Sequence, residues 1–388
     1  MEWLEKYLAD RQKNALLRVL QPIDWATGGK VYIEGKEYIN CSSNDYLALA
    51  GHPRLLEESN RAAQKYGTSA SAARLMSGDI SLYHELEERV ACLVNTEKAL
   101  LFGCGYLANV GLMPALCNKA DAIFSDRLNH ASIIDGIMLS GARLFRFRHN
   151  NMDHLEALLK KERGKFKKAL IITESLFSMD GDMSPLNAIV ELKEKHNAML
   201  AIDEAHAIGV FGPSGAGRAE ELGITGRADI IIGTFGKALG SYGAFIGSSA
   251  KMIDYLINRA RTFIYSTAPA PAAIGASLGA IEMLSAEPWR RNALLEKAAL
   301  LRNMLNEHGL NVRGASQIVP VIVGEADQTI RIANRLKEEG VFAVALRPPT
   351  VTSNECRIRL SITHHHTDDD LHKISEKLAY AFRQSVLL

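Results

Sequence analysis

Short apolar runs alternate with helical stretches between about residues 98 and 270, and this alternation constrains the fold more than any other feature. Runs that are apolar throughout and spaced for crossover helices are typical of a mostly parallel sheet covered on both faces. We therefore predict an α/β fold with a seven-stranded, mostly parallel sheet. The predicted strands are 98–102, 122–125, 143–147, 168–173, 198–203, 229–233 and 243–247.

Two polar residues lie where predicted strands end. Asp203 is the last residue of strand 198–203, and Lys237 closely follows strand 229–233. Ligands of such sheets bind beyond the carboxyl ends of the strands. A pyridoxal 5'-phosphate (PLP) enzyme needs a lysine that binds the cofactor covalently and an aspartate that keeps its pyridine nitrogen protonated. The pair therefore predicts PLP as the cofactor.

Glycines surround the lysine at positions 233, 236 and 240. We expect them to let the backbone approach a bound ring and to adopt the positive φ of tight turns.

The sequence Asp-Glu-Ala-His at 203–206 also matches a helicase motif. A helicase needs a P-loop to hold the nucleotide phosphates. Segment 233–238 has the wrong glycine spacing and no Ser or Thr after its lysine, and no other segment fits. The helicase hypothesis is therefore rejected.

A second glycine pattern, G-x-G-x-x-A at 103–108, follows strand 98–102. A dinucleotide site needs an acidic residue about 20 positions further on, and Asp126 lies near that position. A loop at a helix N-terminus binds any phosphate, so this pattern alone cannot choose between NAD and PLP. Lys237 favours PLP, because a dehydrogenase has no evident use for it. An NAD-dependent dehydrogenase and a non-catalytic binding protein remain the alternatives.

Composition excludes several partners. The 45 basic and 44 acidic residues leave a net charge of +1, which gives no electrostatic case for nucleic acid or an anionic membrane.

The first residues carry acids and lack a long apolar core, so no signal peptide is expected. The five cysteines contain no C-x-x-C pair and suit a cytoplasmic location. The adjacent histidines 364–366 point in different directions, and no metal site is predicted.

Three regions are predicted along the chain. Residues 1–49 form an N-terminal arm, 50–278 a large cofactor-binding domain, and 279–388 a small C-terminal α/β domain. The small domain is predicted to contain strands 318–324, 341–346 and 357–362, with helices before, between and after them.

Several segments together resemble one family, the α-oxoamine synthases, which are fold-type-I PLP-dependent transferases. The matches run nearly end to end in the family's order. They are 42–47, 105–109, 129–132, 178–182, 203–206, 234–237, 265–267 and 357–360.

The resemblance implies a decarboxylative condensation of an amino acid with an acyl thioester. Segment 347–351, and Leu17 and Arg18 ahead of Pro22, are similar to the corresponding segments of one member of the family. That member joins L-alanine to a pimeloyl thioester of CoA or acyl carrier protein in biotin biosynthesis. The alternative within the family is condensation of glycine with acetyl-CoA.

The resemblance also implies roles for individual residues. Lys237 would hold PLP and remove the Cα proton, Asp203 would pair with the pyridine nitrogen, and His130 would stack on the ring. The remaining predicted contacts are His206 and Ser178 near the 3-oxygen, Thr234 with the Gly105 and Tyr106 N–H groups at the phosphate, Arg359 at the alanine carboxylate, and Arg18 and Thr350 at the acyl substrate.

The family's active site lies between two subunits. Ser266 and Thr267 would reach the partner's phosphate, so a homodimer is predicted. Ala48 and residues 69–73 stand where the family tends to have glycines. We expect alanine to exclude the positive φ that glycine permits, which leaves the local backbone and the acyl-chain specificity near these residues undetermined.

Overall fold

The computed structural model describes residues 1–386. Its helices are α1 (Glu2–Lys13), α2 (Pro53–Tyr66), α3 (Ser81–Leu93), α4 (Gly105–Leu116), α5 (Ala131–Ser140), α6 (Met152–Glu162), α7 (Leu186–Lys195), α8 (Arg218–Glu221), α9 (Ala250–Arg259), α10 (Arg261–Ile264), α11 (Pro271–Ala286), α12 (Trp289–Glu307), α13 (Ala326–Glu338) and α14 (Asp368–Val386). Its strands are β1 (Trp25–Thr27), β2 (Lys30–Ile33), β3 (Lys36–Asn40), β4 (Lys98–Phe102), β5 (Ala122–Asp126), β6 (Arg143–Phe147), β7 (Ala169–Glu174), β8 (Met199–Asp203), β9 (Ile230–Thr234), β10 (Ala244–Ser248), β11 (Ile318–Gly324), β12 (Val341–Phe342), β13 (Ala345–Leu346) and β14 (Cys356–Ser361).

The chain divides into two compact units. The sheet unit contains Leu49–Phe177 and Met183–Arg291. The terminal unit contains Met1–Ala48, Ser178–Asp182 and the chain from Asn292 onward. The predicted boundaries after residues 49 and 278 stay a prediction.

The sheet unit is built on seven strands in the order β4-β10-β9-β8-β7-β5-β6. The neighbouring strands β9, β8, β7, β5 and β6 are parallel to one another. Strand β10 is antiparallel to both of its neighbours, β4 and β9. This arrangement confirms the predicted seven-stranded, mostly parallel sheet. From β5 the chain moves outward to β6, and from β7 it moves the other way to β8 and β9. A ligand crevice forms at such a switch point, beyond the carboxyl ends of the strands.

A buried apolar cluster fixes those strand ends. Leu112 of α4 and Ile133 of α5 belong to it, as do Leu170, Ala201 and Ile232 of β7, β8 and β9. Each of these side chains is at most 1% exposed. Because such interiors are close-packed, the polar residues that follow the strands start from a rigid platform.

The terminal unit contains two small sheets, ordered β1-β2-β3-β12 and β11-β14-β13. The predicted strand 341–346 is in fact two strands. Val341 pairs in parallel with Ile39 of the arm, whereas Ala345 pairs with Ile358 of β14. Within the described part of the chain, no helix combines the length and apolar character needed to cross a membrane.

Backbone conformation departs from two expectations. Ala48 and Ser71 have φ of 54° and 56°, so the backbone is left-handed although neither residue is glycine. The expectation that alanine excludes positive φ is therefore wrong at Ala48, because an L-residue can adopt this conformation at a cost of about 1–2 kcal/mol. Around the lysine, Gly240 has a positive φ, of 59°, whereas Gly233 and Gly236 do not. A Cβ at Gly240 would also lie 2.4 Å from the Ala50 nitrogen.

Candidate active site

The end of β8 places a carboxylate in a polar pocket. Asp203 is 5% exposed, and its Oδ1 accepts a hydrogen bond from the backbone N–H of Ala205 at 2.9 Å. Its Oδ2 accepts from Nδ2 of Asn109 on α4, also at 2.9 Å. Two N–H donors therefore hold this carboxylate in a fixed orientation. Such an oriented carboxylate can pair with a protonated ring nitrogen.

His130 precedes α5 at the end of the loop that follows β5. His130 is exposed overall, but desolvation by the surrounding protein lowers the pKa of its ring, against the opposing effect of the Asp203 charge. The ring Nδ1 lies 2.8 Å from the Ser132 hydroxyl and accepts the Ser132 N–H at 3.2 Å. The imidazole is thereby oriented and kept neutral at neutral pH.

Lys237 lies in the turn that joins β9 to β10. The carbonyl of Lys237 accepts from the Gly240 N–H at 2.9 Å, and the turn closes where Phe235 N–H donates to Gly243 at 3.0 Å. In the parallel pair β8–β9, Asp203 is level with Ile232. The positive charge of Lys237 contributes to the lowered pKa of His130, and it opposes the raised pKa of Glu174. Lys237 therefore acts electrostatically on both side chains.

Glu174, the last residue of β7, is a buried carboxyl group that sequence reasoning gave no role. It is 3% exposed, pairs in register with Asp203 and accepts the backbone N–H of His130 at 2.6 Å. Burial, with the charge of Asp203 added, raises the pKa of Glu174 to about 8. At neutral pH this side chain is therefore mainly protonated, and it does not compete with Asp203 for a cation.

Replacing Glu174 by glutamine should change how stability depends on pH. The ordinary carboxyl pKa of 4.5 describes the unfolded chain, and the folded value is about 8. Between these values the folded state binds more protons, so the free energy of unfolding falls as pH rises. Glu174→Gln keeps an acceptor for His130 and removes this titration. We expect its thermal midpoint to match the wild type near pH 5 and to exceed it near pH 8, in scanning fluorimetry of the chain without cofactor.

The control for that measurement is Glu88→Gln, at an exposed position of α3. A difference between Glu174→Gln and the wild type that does not grow with pH would contradict the assigned protonation of Glu174.

The start of α4 fits a phosphate. The helix begins at Gly105, and its N-cap residue Cys104 forms no side-chain capping bond. The first N–H groups of a helix lack partners within it, and they favour an anion together with the helix dipole. A Cβ built on Gly105 would meet nothing within 4 Å, so space is open there. Gly105 and Tyr106 are thus the first two residues of this helix, and their contact with a phosphate stays a prediction.

Thr234 ends β9 and is buried. Its hydroxyl donates to the Gly243 carbonyl at 2.8 Å and accepts the Gly236 N–H at 3.2 Å. A bond from this hydroxyl to a phosphate would require it to rotate away from Gly243, so the contact stays a prediction.

His206, Ser266 and Thr267 complete the predicted positions of the sheet unit. His206 is 6% exposed and lies three residues beyond Asp203. Thr267 is exposed and forms a β-bridge with Ala73. The structure thus places Thr267 beside the 72–73 segment, where the next residue, Ala268, also donates its N–H to the Ala72 carbonyl. The roles of all three residues at a cofactor stay predictions.

In the terminal unit, Arg359 carries a charge that neutral groups surround. Its guanidinium donates to the carbonyl of Ser178 at 2.6 Å and to the Ser361 hydroxyl at 2.7 Å. It also donates to the Asn44 amide oxygen and the Tyr46 hydroxyl, each at 3.2 Å. All four of these acceptors are neutral groups. A guanidinium so placed suits a bidentate bond to a carboxylate ligand.

The two residues predicted to bind the acyl substrate lie together. Arg18 donates to the Thr350 hydroxyl at 3.0 Å, and both side chains are exposed. Arg347 holds the same segment, since it donates to the carbonyl oxygens of Ala15 and Leu17 at 2.8 and 2.7 Å. In the sequence, Arg347 is distinguished only as the first residue of segment 347–351. Its pairing with residues 15–17 could not be foreseen, because more than 300 positions separate the partners.

The polar set of the sheet unit fits PLP. A carboxylate held by two N–H donors, a lysine beyond the adjacent strand and an anion-binding helix start are the groups that the cofactor requires. Across residues 1–386, no group of three or more His, Cys, Asp or Glu could hold a metal ion.

Comparison with known sequences places the chain in a family. The profile of the family described as "Aminotransferase class I and II" matches residues 36–378. An 8-amino-7-oxononanoate synthase of Geobacter sulfurreducens is 43% identical over 375 residues, which are 96% of each chain. Another, of Trichlorobacter lovleyi, is 45% identical over 96% of this chain and 95% of its own.

Solved structures agree with this placement. A serine palmitoyltransferase of S. paucimobilis, bound to PLP and myriocin, superposes with a TM-score of 0.93 at 27% identity over 100% of this chain and 99% of its own. An 8-amino-7-oxononanoate synthase of Francisella tularensis gives 0.78 at 27% identity over 90% of this chain and 99% of its own. These matches confirm the fold-type-I prediction and the resemblance to the α-oxoamine synthases. The chain therefore belongs to the aminotransferase class I and II family and, within it, groups with the 8-amino-7-oxononanoate synthases.

Proposed function

We propose that this protein condenses L-alanine with a pimeloyl thioester, releasing carbon dioxide and the thiol carrier and forming 8-amino-7-oxononanoate for biotin biosynthesis. The observation that carries the proposal is the identity of 43–45% to curated synthases over almost the whole chain. The predicted cofactor, PLP, is confirmed by the family and by PLP-bound neighbours. The NAD-dependent alternative is set aside, because the family is a different one.

The residues of the sheet unit divide the chemistry among them. PLP supplies an electron sink for the negative charge that develops at the amino-acid Cα. Lys237 would hold the cofactor and then take the Cα proton at its Nζ. Asp203 would keep a proton on the pyridine nitrogen through a charge-assisted hydrogen bond. His130 would cover one face of the ring, and the N–H groups at Gly105 would hold the phosphate.

The test is direct. The purified protein with PLP is incubated with L-alanine and either pimeloyl-CoA or pimeloyl-acyl carrier protein, and the product is identified by mass spectrometry. We expect 8-amino-7-oxononanoate from at least one donor. Turnover of glycine with acetyl-CoA, and none of alanine with either pimeloyl donor, would contradict the proposal and favour the other member of the family.

Arg359 is proposed to bind the alanine carboxylate. Replacing it with lysine keeps the charge but loses the bidentate fork. Hydrogen bonds to charged groups contribute about 1.5–3 kcal/mol, so we expect KM for L-alanine to rise about 10- to 100-fold. KM for pimeloyl-CoA should change little. Steady-state kinetics with each substrate varied in turn would check this, with Arg313→Lys, a partly exposed residue of the same unit, as control. Equal increases in both KM values would count against the assignment.

We also propose a homodimer in which Ser266 and Thr267 contact the phosphate held by the partner. Exposed apolar side chains in both segments of the Ala73–Thr267 bridge support an interface near Thr267, since Leu75, Met76 and Tyr265 are 52, 80 and 71% exposed. A cytoplasmic location likewise stays a proposal.

Mixing two inactive variants would test the shared site. Subunits with Lys237→Ala are combined with subunits carrying Ser266→Ala and Thr267→Ala, so each mixed dimer has one intact site. After subunit exchange we expect about a quarter of wild-type activity, because half of the dimers are mixed and each has one working site. No recovery, with mixed dimers shown by native mass spectrometry, would mean that these residues do not act across the interface.

A further inference from the structure

Asn109 links two parts of the site. It is 2% exposed, and its side-chain Nδ2 donates to Asp203 Oδ2 at 2.9 Å and to the Ser132 hydroxyl oxygen at 3.0 Å. The amide orientation follows from chemistry, because the reverse orientation would place its carbonyl oxygen against the carboxylate. Both amide hydrogens are therefore used, one on each partner.

The other end of the link is the imidazole of His130. Its Nδ1 accepts the backbone N–H of Ser132 at 3.2 Å, so Nδ1 carries no proton. The Ser132 hydroxyl lies 2.8 Å from the same atom and, since its oxygen accepts from Asn109, its proton is directed at Nδ1. A neutral imidazole in this setting holds its single proton on Nε2.

We propose that Asn109 is a positioning residue that joins the Asp203 carboxylate to the His130 imidazole through the Ser132 hydroxyl, and that this relay fixes His130 as a donor at Nε2. The consequence for catalysis rests on the proposed function, whereas the relay is a property of the chain itself. His130 then offers a hydrogen-bond donor at the open side of its ring, and its Nδ1 cannot serve as a base.

Packing of α4 on α5 sets the geometry of the relay. A Cβ at Gly136 of α5 would lie 2.7 Å from the backbone oxygen of Asn109. Glycine at this position lets the two helices approach closely, and that approach brings Asn109 within reach of Ser132. The side chain of Ser132 is itself buried, so water does not compete for these hydrogen bonds.

Nuclear magnetic resonance of the ¹⁵N-histidine-labelled full chain, with and without PLP, reports the His130 tautomer and pKa directly. His130→Gln assigns the signals. We expect the wild-type ring to be the Nε2–H tautomer. Ser132→Ala removes a donor to the neutral ring and should raise the His130 pKa. Asn109→Asp brings a carboxylate near the ring and should raise this pKa further, by about one unit or more.

The same variants are titrated with PLP, followed by visible absorption. Asn109→Asp should weaken PLP binding about tenfold or more, because Asp203 loses a donor and gains a like charge. Ser132→Thr keeps the hydroxyl and should restore the wild-type tautomer and affinity. The control Asn258→Asp makes the same change at an exposed position of α9, and it should alter neither the His130 tautomer nor the affinity for PLP.

His130 signals that stay unchanged in folded Ser132→Ala would overturn the relay, even if Asn109→Asp fails to fold. An Nδ1–H tautomer in the wild type would overturn it as well. If the signals shift as expected but the wild type forms no product from alanine and pimeloyl donors, the proposed function fails while the relay stands.

Discussion

Replacing Lys237 by alanine is expected to abolish turnover of L-alanine with the pimeloyl thioester. In the proposed roles of Lys237, the substitution would remove both the covalent attachment of the cofactor and the base for the Cα proton, so a loss of about 10⁴-fold is expected. Lys237 lies in the tight turn between β9 and β10, which is closed by backbone hydrogen bonds, and the fold should survive the change. Product formation measured by mass spectrometry, and circular dichroism of the same sample, would check both statements.

A second readout separates attachment from catalysis. Borohydride reduction should leave PLP covalently bound to the wild type after denaturation, and should leave none on Lys237→Ala. The control is Lys251→Ala, at an exposed position of α9, for which neither activity nor retention should change. Residual turnover of Lys237→Ala within tenfold of the wild type would refute the assigned base.

The sheet and the polar residues at its edge could be predicted because they depend on local patterns. Apolar runs such as 229–233 and 198–203 reflect strands buried on both faces, and the parallel arrangement places Asp203 and the Lys237 turn at one edge. The glycines after β4 likewise indicated the start of a helix, which the structure has at Gly105, whereas the phosphate site there stays a prediction.

Long-range pairings could not be predicted in this way. Asn109 meets Asp203 across 94 positions, and Glu174 meets the His130 N–H across 44, so no sequence period marks either contact. The raised pKa of Glu174 needs burial and the register with Asp203 together. Likewise, the division of 341–346 into β12 and β13 depends on pairing with strands far away in the sequence.

Replacing Asp203 by asparagine should be the next most damaging change. Asp203 is proposed to hold a proton on the pyridine nitrogen, which an amide would not do, and removal of one such preorganised electrostatic contact costs about 10²–10³-fold in turnover. If the amide oxygen of the introduced asparagine still accepts the hydrogen bond from the Ala205 N–H, its NH₂ group faces Nδ2 of Asn109. Two donors then oppose each other. The Asp203 charge raises the pKa values of His130 and Glu174, so both should fall in the variant.

A charge exchange would separate the electrostatic role of Asp203 from its structural one. In the double variant Asp203→Asn with Asn109→Asp, an amide faces a carboxylate again, but the charge has moved from β8 to α4. We expect the thermal midpoint to recover most of what either single variant loses, because the opposed donors and the paired carboxylates are both relieved. Turnover should stay about 10²-fold or more below the wild type, since the carboxylate no longer stands at the end of β8. Recovery of turnover together with stability would show that a charge anywhere in the pair suffices, and the specific pairing of Asp203 with the ring nitrogen would have to be abandoned.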